Sequence, residues 1–173
     1  ASSGNIELIK LCTLDIANVQ MNGKQTNLST FTQQGFDYHD GKLFLPLTGN
    51  AYVETINQSA VVVYDLEGAT GTLRNDPSLS FFITCNTYAG LFEMEDCAVC
   101  PTTGKLYFAS NRRRTASDTN HDGVSYFKSY VYDPSMSTTG ADDYRWEPKG
   151  DELTSVTDGG NVFNAATMFH GNL

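Results

Sequence analysis

Basic residues are scarce in this chain: 11 Lys and Arg stand against 20 Asp and Glu, a formal net charge of −9 at pH 7. A surface that grips duplex nucleic acid needs a cationic stripe to displace counterions from the phosphates. Only Arg112-Arg113-Arg114 is locally basic. The charge balance thus speaks against nucleic acid and against an anionic membrane as partners. Long apolar runs are missing too. No stretch reaches the roughly eighteen consecutive apolar residues of a membrane-crossing helix, so no membrane-spanning segment is expected. No basic-then-apolar leader opens the sequence at Ala1. Helical periodicity is almost absent, and the charged fraction of 18% beside 40% hydrophobic residues is that of a globular chain.

Cysteine is sparse. Cys12, Cys85, Cys97 and Cys100 permit two disulfides in three connectivities. Cys97-Ala98-Val99-Cys100 has the C-x-x-C spacing of zinc and redox sites. No second such pair exists, and the flanks read as strand, in which positions three apart face opposite sides. Buried thiols or structural disulfides are the expectation. The three histidines, His39, His121 and His170, sit in turn-like contexts without ligand spacing. No Ser-His-Asp order and no glycine-rich phosphate loop stands out. The sequons at Asn27 and Asn57 are about as many as composition alone supplies.

What is present is a series of short runs rich in Val, Ile, Tyr and Phe, bounded by Gly, Asn, Asp and Pro, which is the signature of strands. Strands are expected at Ile6–Leu11, Gly35–His39, Lys42–Leu47, Ala60–Tyr64, Leu79–Thr84, Cys97–Cys100, Lys105–Ala109, Tyr126–Tyr132, Leu153–Thr157 and Ala165–Phe169. The chain reads as all-β with antiparallel hairpins.

An internal repeat organises these strands. Gly41-Lys42-Leu43-Phe44-Leu45 matches Gly104-Lys105-Leu106-Tyr107-Phe108, and Val63-Tyr64-Asp65 matches Val131-Tyr132-Asp133. Upstream, Gln34–Tyr38 matches Glu95–Val99, with two extra residues in the second turn. His170-Gly171-Asn172-Leu173 looks like the same hairpin beginning again, and the three glycines are spaced by 63 and 67 residues. Four antiparallel strands per period describe a β-propeller blade. The expected division is an outer strand and connector over 1–32, a blade over 33–92, a blade over 93–161 and the truncated start of another over 162–173. A propeller closes with about four or more blades. The chain is therefore expected to be a β-propeller fragment, completed by the remaining blades of the same protein or by another protein chain.

Residues opening the inner strand of each blade line the central channel. By the glycine alignment these are Gln34, Glu95 and Asn164. Oxygen-bearing side chains converging there suit calcium, a hard cation. A second candidate is Asp118-Thr119-Asn120-His121-Asp122-Gly123, which has the D-x-N-x-D-G opening of a calcium loop, with Asp118, Asn120 and Asp122 as ligands. The match fails further on, where Ser129 stands in place of the bidentate Glu. Arg112 and Arg113 follow a strand directly and offer guanidinium groups to a phosphate.

The run Glu95–Ala109, with Asn111–Arg114 and Tyr130–Pro134, resembles blades of the PhoX-type bacterial alkaline phosphatases. Asn164–Leu173 resembles the next blade of that family. The resemblance covers about 80 residues. It implies a secreted, periplasmic or organellar-lumenal protein that holds calcium and iron in the channel and hydrolyses phosphomonoesters. It also implies that Glu95 and Asn164 are metal ligands. The chain departs from the pattern at Phe163, where the family has Asp, and at Gln34. The first repeat also resembles helveticin-J-like propellers, and blades opening on Glu occur in gluconolactonase-like calcium hydrolases. Two functional expectations follow: a metal-dependent phosphomonoester hydrolase, or a degenerate, non-catalytic propeller serving as a structural or binding subunit.

Overall fold

The computed structural model describes residues 8–21, 23–49, 58–84, 90–119, 121–131, 144–145, 153–154, 157–158 and 161–162. Among them every regular element is a strand. The N-terminal stretch carries β1 (Cys12–Leu14), β2 (Val19–Met21) and β3 (Lys24–Thr26). Then come β4 (Thr32–Gln33), β5 (Asp37–His39), β6 (Lys42–Thr48), β7 (Gln58–Asp65), β8 (Gly71–Leu73) and β9 (Phe81–Thr84). The later strands are β10 (Leu91–Val99), β11 (Lys105–Arg113), β12 (His121–Val131), β13 (Tyr144–Arg145), β14 (Leu153–Thr154), β15 (Thr157–Asp158) and β16 (Asn161–Val162).

Two antiparallel meanders dominate. In the first, β9, β7 and β6 lie side by side, β4 and β5 both pair with β6, and β13 joins the far edge in parallel with β9. The second runs β10, β11, β12, β14. Each inner hairpin is set by its turn. His39 pairs with Lys42 across Asp40-Gly41, both with positive φ, 49° and 77°. That is the two-residue turn whose twist matches paired strands, and Gly supplies the left-handed position without strain. In the second meander Cys100 N donates to Lys105 O at 2.9 Å across Pro101-Thr102-Thr103-Gly104. The two extra residues of the repeat thus lie in the second turn.

Neighbouring residues of a strand face opposite sides, so β6 and β7 each serve two cores. Phe44, Val61, Val63 and Phe81 face the second sheet and pack with Phe92, Met94, Cys97, Val99, Leu106 and Phe108. Leu45, Leu47, Ala60, Val62, Tyr64 and Phe82 face the other way, beneath Val19, Met21 and Leu28. The strand β10 keeps Phe92, Met94, Cys97 and Val99 on one side only because Glu95 is an extra residue. Met94 pairs with Ser110 and Asp96 with Ala109, so the bulge resets the alternation.

The repeat shows how the sheets stack. Phe44 is the repeat equivalent of Tyr107, while Leu43 and Leu45 are equivalent to Leu106 and Phe108. The interface therefore joins the Phe44 side of the first sheet to the Leu106–Phe108 side of the second. These faces are not equivalent. The relation is a propagating one, sheet onto sheet, and not the meeting of matching inner faces. The strands β6 and β7 of the first sheet carry buried residues on both sides.

The N-terminal hairpin is tied on by side chains. Asn75 mimics a strand: its Oδ1 accepts from Gln20 N and its Nδ2 donates to Gln20 O, both at 2.8 Å. Tyr64 Oη donates to Asp15 O at 3.1 Å, and burial, with the Asp15 charge second, pushes the phenol pKa up to about 12. The hairpin does not reach the whole face. A groove of about 460 Å3 remains open, lined by Leu14, Ile16, Phe31, Phe36, Leu43 and Leu47 among others. The expected strand Ile6–Leu11 is not formed over its described part. Leu8, Ile9 and Leu11 lie ahead of β1 and are exposed. The first strand begins at Cys12, where β8 offers a pairing partner. The expected strand Ala165–Phe169 and the turn at Gly171 lie outside the described residues.

Candidate functional site: the seam between inner strands

The inner strands of the two sheets meet in a polar seam. Gln34, in the loop between β4 and β5, donates from Nε2 to Glu93 Oε1 at 2.6 Å. Asp37 Oδ2 accepts from Val99 N at 2.7 Å. Between these two clasps, Gly35 passes so close to β10 that a Cβ on it would lie 2.1 Å from Asp96 Oδ1. Only a residue without a side chain fits there. Deeper in, Thr48 Oγ1 accepts from Met94 N at 2.9 Å and donates to Met94 O at 3.1 Å. Ser59 Oγ lies 3.1 Å from the same hydroxyl. One threonine thus satisfies both backbone groups of Met94, next to the Glu95 bulge.

The expected convergence of Gln34, Glu95 and Asn164 is placed only in part. Gln34 reaches the second sheet, but its partner is Glu93. Glu95 is half-buried at the bulge within β10, and does not open that strand. Asn164 lies outside the described residues. Glu93, Asp37, Asp96 and Gly35 were missed because their meeting links positions about 60 apart. The sequence holds one signal, a glycine at position 35 just ahead of a strand.

The calcium-loop candidate takes another shape. Asp118 Oδ2 accepts from Arg114 N at 3.1 Å and Oδ1 from Thr119 N at 2.9 Å. Its oxygens cap the β11–β12 turn. Asn120 lies outside the described residues. Asp122 is in β12, opposite Asn111, so the chain is already extended where a loop would wrap an ion. Among the described residues no three His, Cys, Asp or Glu side chains form a metal-holding group.

The basic run is part of β11. Arg112 is only 1% exposed and lies on the side of the sheet-to-sheet core, opposite Phe92. Arg113 pairs with Leu91 on the other face and is half-buried. Adjacent strand residues point apart, so the two guanidinium groups do not clamp one phosphate. Cys12, Cys97 and Cys100 are free thiols. Burial, then the Asp96 and Asp37 carboxylates, push the Cys97 thiol pKa well up. Cys100, at the turn end of the hairpin, is held down to about 7, chiefly by the Thr102 and Thr103 hydroxyls.

The chain matches no known protein family, no curated protein and no solved structure.

Proposed function

We propose that the chain is a non-catalytic module of β-propeller type, whose stacked blades serve as a structural or binding subunit. The observation that carries this reading is the stacking of non-equivalent repeat faces, Phe44 against Leu106 and Phe108. A two-layer sandwich buries matching inner faces and leaves its outer faces to water. Here the central strands β6 and β7 of the first sheet carry buried residues on both sides, as those of an interior blade of a ring do. The polar groups of the seam are used in clasps between blades: Gln34 on Glu93, Asp37 on Val99 and Thr48 on Met94. Such groups hold neighbouring blades in register.

A second reading is a calcium-dependent phosphomonoester hydrolase. It is favoured by Gln34 meeting Glu93 and by Gly35 passing against Asp96, on either side of Glu95, which would be a calcium ligand. The test is p-nitrophenyl phosphate hydrolysis with and without calcium, beside calorimetric titration with calcium. The structural reading expects hydrolysis at the buffer rate. Calcium-dependent turnover that falls in Glu95→Gln would overturn it and establish the hydrolase.

A further inference from the structure

We infer that the open groove on the first sheet binds a free, uncharged small molecule through a straight aliphatic chain. The inference stands on the first sheet and its N-terminal cover alone, and goes beyond both readings above without depending on either. Val19, Met21 and Leu28 pack on the same face of the sheet, and the groove is the space they leave. It holds about 460 Å3, within the range of about 300–1,000 Å3 of pockets that bury a small ligand. Its floor is made by Leu43, Leu45 and Leu47, alternate residues of β6 that share one face. A strand rises about 3.3 Å per residue, so the floor runs straight for roughly 13 Å, the length of an extended chain of about ten carbons.

The core on this face closes incompletely here. Leu14, Ile16, Phe31 and Leu43 pack against it yet remain only partly buried, and each lines the groove. Phe36, on the rim, is 62% exposed. A ligand chain laid on the leucines takes this apolar surface out of water. Charge decides which ligand. Among the described residues lining the groove none is charged, and only Gln33 is polar. An ionised group buried here would lose its hydration with no counter-charge to replace it, and the net charge of −9 repels anions further. Gln33 stands opposite Leu47, at one end of the floor. Its Nε2 is already given to Gly35 O at 2.9 Å, so what it offers a ligand is its amide oxygen, an acceptor for a hydroxyl.

The test uses straight primary alcohols from hexanol to tetradecanol. They compete with the uncharged dye N-phenyl-1-naphthylamine for the full 173-residue chain, and calorimetric titration with octanol gives the stoichiometry. One site per chain is expected. Affinity should rise about fourfold per added methylene and level off at about ten carbons, where the floor is full. Decanoate, with the same chain and a charge, should bind more weakly than decanol. Phe36→Asp sets a charge on the rim and should lower the affinity for decanol about tenfold. Phe36 is exposed, so its substitution leaves the cores untouched. Leu8→Asp is the control. Leu8 is exposed to a similar or greater degree and is not among the residues lining the groove, so decanol affinity should stay unchanged.

A wild type that takes up neither dye nor alcohol overturns the inference. An affinity that ignores chain length, or keeps climbing to tetradecanol, overturns it as well, because the floor then does not set the fit. Equal losses in Phe36→Asp and Leu8→Asp, or a loss in neither, place the alcohol on other apolar surface and have the same consequence. Sedimentation with phosphatidylcholine vesicles that Phe36→Asp abolishes would make a membrane the source of the chain and overturn the free ligand. Phosphatase turnover bears on the function proposed above and leaves the alcohol series standing.

Discussion

Gly35→Ala tests the seam at its tightest point. The added Cβ would lie 2.1 Å from Asp96 Oδ1, 2.5 Å from Cγ and 2.9 Å from Cβ. The last of these atoms is fixed to the backbone of β10, so turning the carboxylate aside does not relieve the contact. Asp96 or the β4–β5 loop must move. Overpacking of this kind costs about 1–3 kcal/mol. Displacing Asp96 also weakens its 2.9 Å bond from Cys97 N, which adds roughly 1 kcal/mol. Against this, alanine stiffens the unfolded chain and returns about 0.4–1 kcal/mol. The net expectation is a loss of about 2 kcal/mol. In a chain of this size that lowers the melting temperature by roughly 4–8 °C. The assay is chemical and thermal unfolding of wild type, Gly35→Ala, Asp96→Gly and the double variant. Asp96→Gly removes every atom the new methyl group meets, so the double variant should be more stable than the single effects sum to. A Gly35→Ala protein within about 0.5 kcal/mol of wild type, or effects that simply add, would refute the close approach of the two inner strands.

Thr48→Val removes the hydroxyl that satisfies both backbone groups of Met94 and leaves them buried without it. A loss of about 2–3 kcal/mol is expected in the urea unfolding midpoint. Thiol labelling should separate the two cysteines of the C-x-x-C pair. The thiolate is the nucleophile, so with its pKa held near 7 Cys100 reacts first with iodoacetamide, at a rate that climbs through neutral pH. Cys97 is buried with a raised pKa and stays unlabelled until the protein unfolds. Replacing Thr102 and Thr103 by Val should shift the Cys100 profile to higher pH, and an unchanged profile would rule out the hydroxyl cause. Asp65 is held below the usual carboxylate pKa, first by its bond from Lys42. Its stabilisation is present above the unfolded pKa and lost as pH falls through the folded one. Lys42→Met should flatten the acid limb of the unfolding curve, read by circular dichroism.

The longer strands can be read from the residues, because half-buried strands alternate and turns carry Gly, Asn and Asp, while short ones such as β1 to β4 and β8 escape. Lys42–Leu47 is expected and Lys42–Thr48 is found. The repeat alignment places its two extra residues in the loop where they occur, since Gly104 marks that turn as Gly41 marks the first. What escapes are places where chain-distant contacts override local pattern. β10 begins at Leu91, well before the expected Cys97, because Glu93, Glu95 and Asp96 hide the alternation that the bulge resets. β11 runs on through four residues, Ser110 to Arg113, beyond the expected end, since the sheet-to-sheet layer buries Ser110 and Arg112 fully. The seam was only half legible. A polar residue at the start of an inner strand is visible at Gln34, but its partner Glu93 is 59 residues away and is chosen by the stacking of the two sheets.

That stacking also bears on how the protein comes to be folded. Strand pairing in each meander joins segments close in sequence, and the two meanders touch through one layer, chiefly β10 on β6. Short-range pairing closes small loops and is fast, while docking one formed sheet on another is a later and separate step. Arrays built this way behave as a line of coupled units, each steadied by its immediate neighbours. Folding can then start in either meander and spread to the other. A sheet with a neighbour on one side alone is the first to open. In hydrogen exchange the amides of β6 and β7, held from both faces, should be the last to exchange, and those of β12, a strand further from the layer, should go earlier.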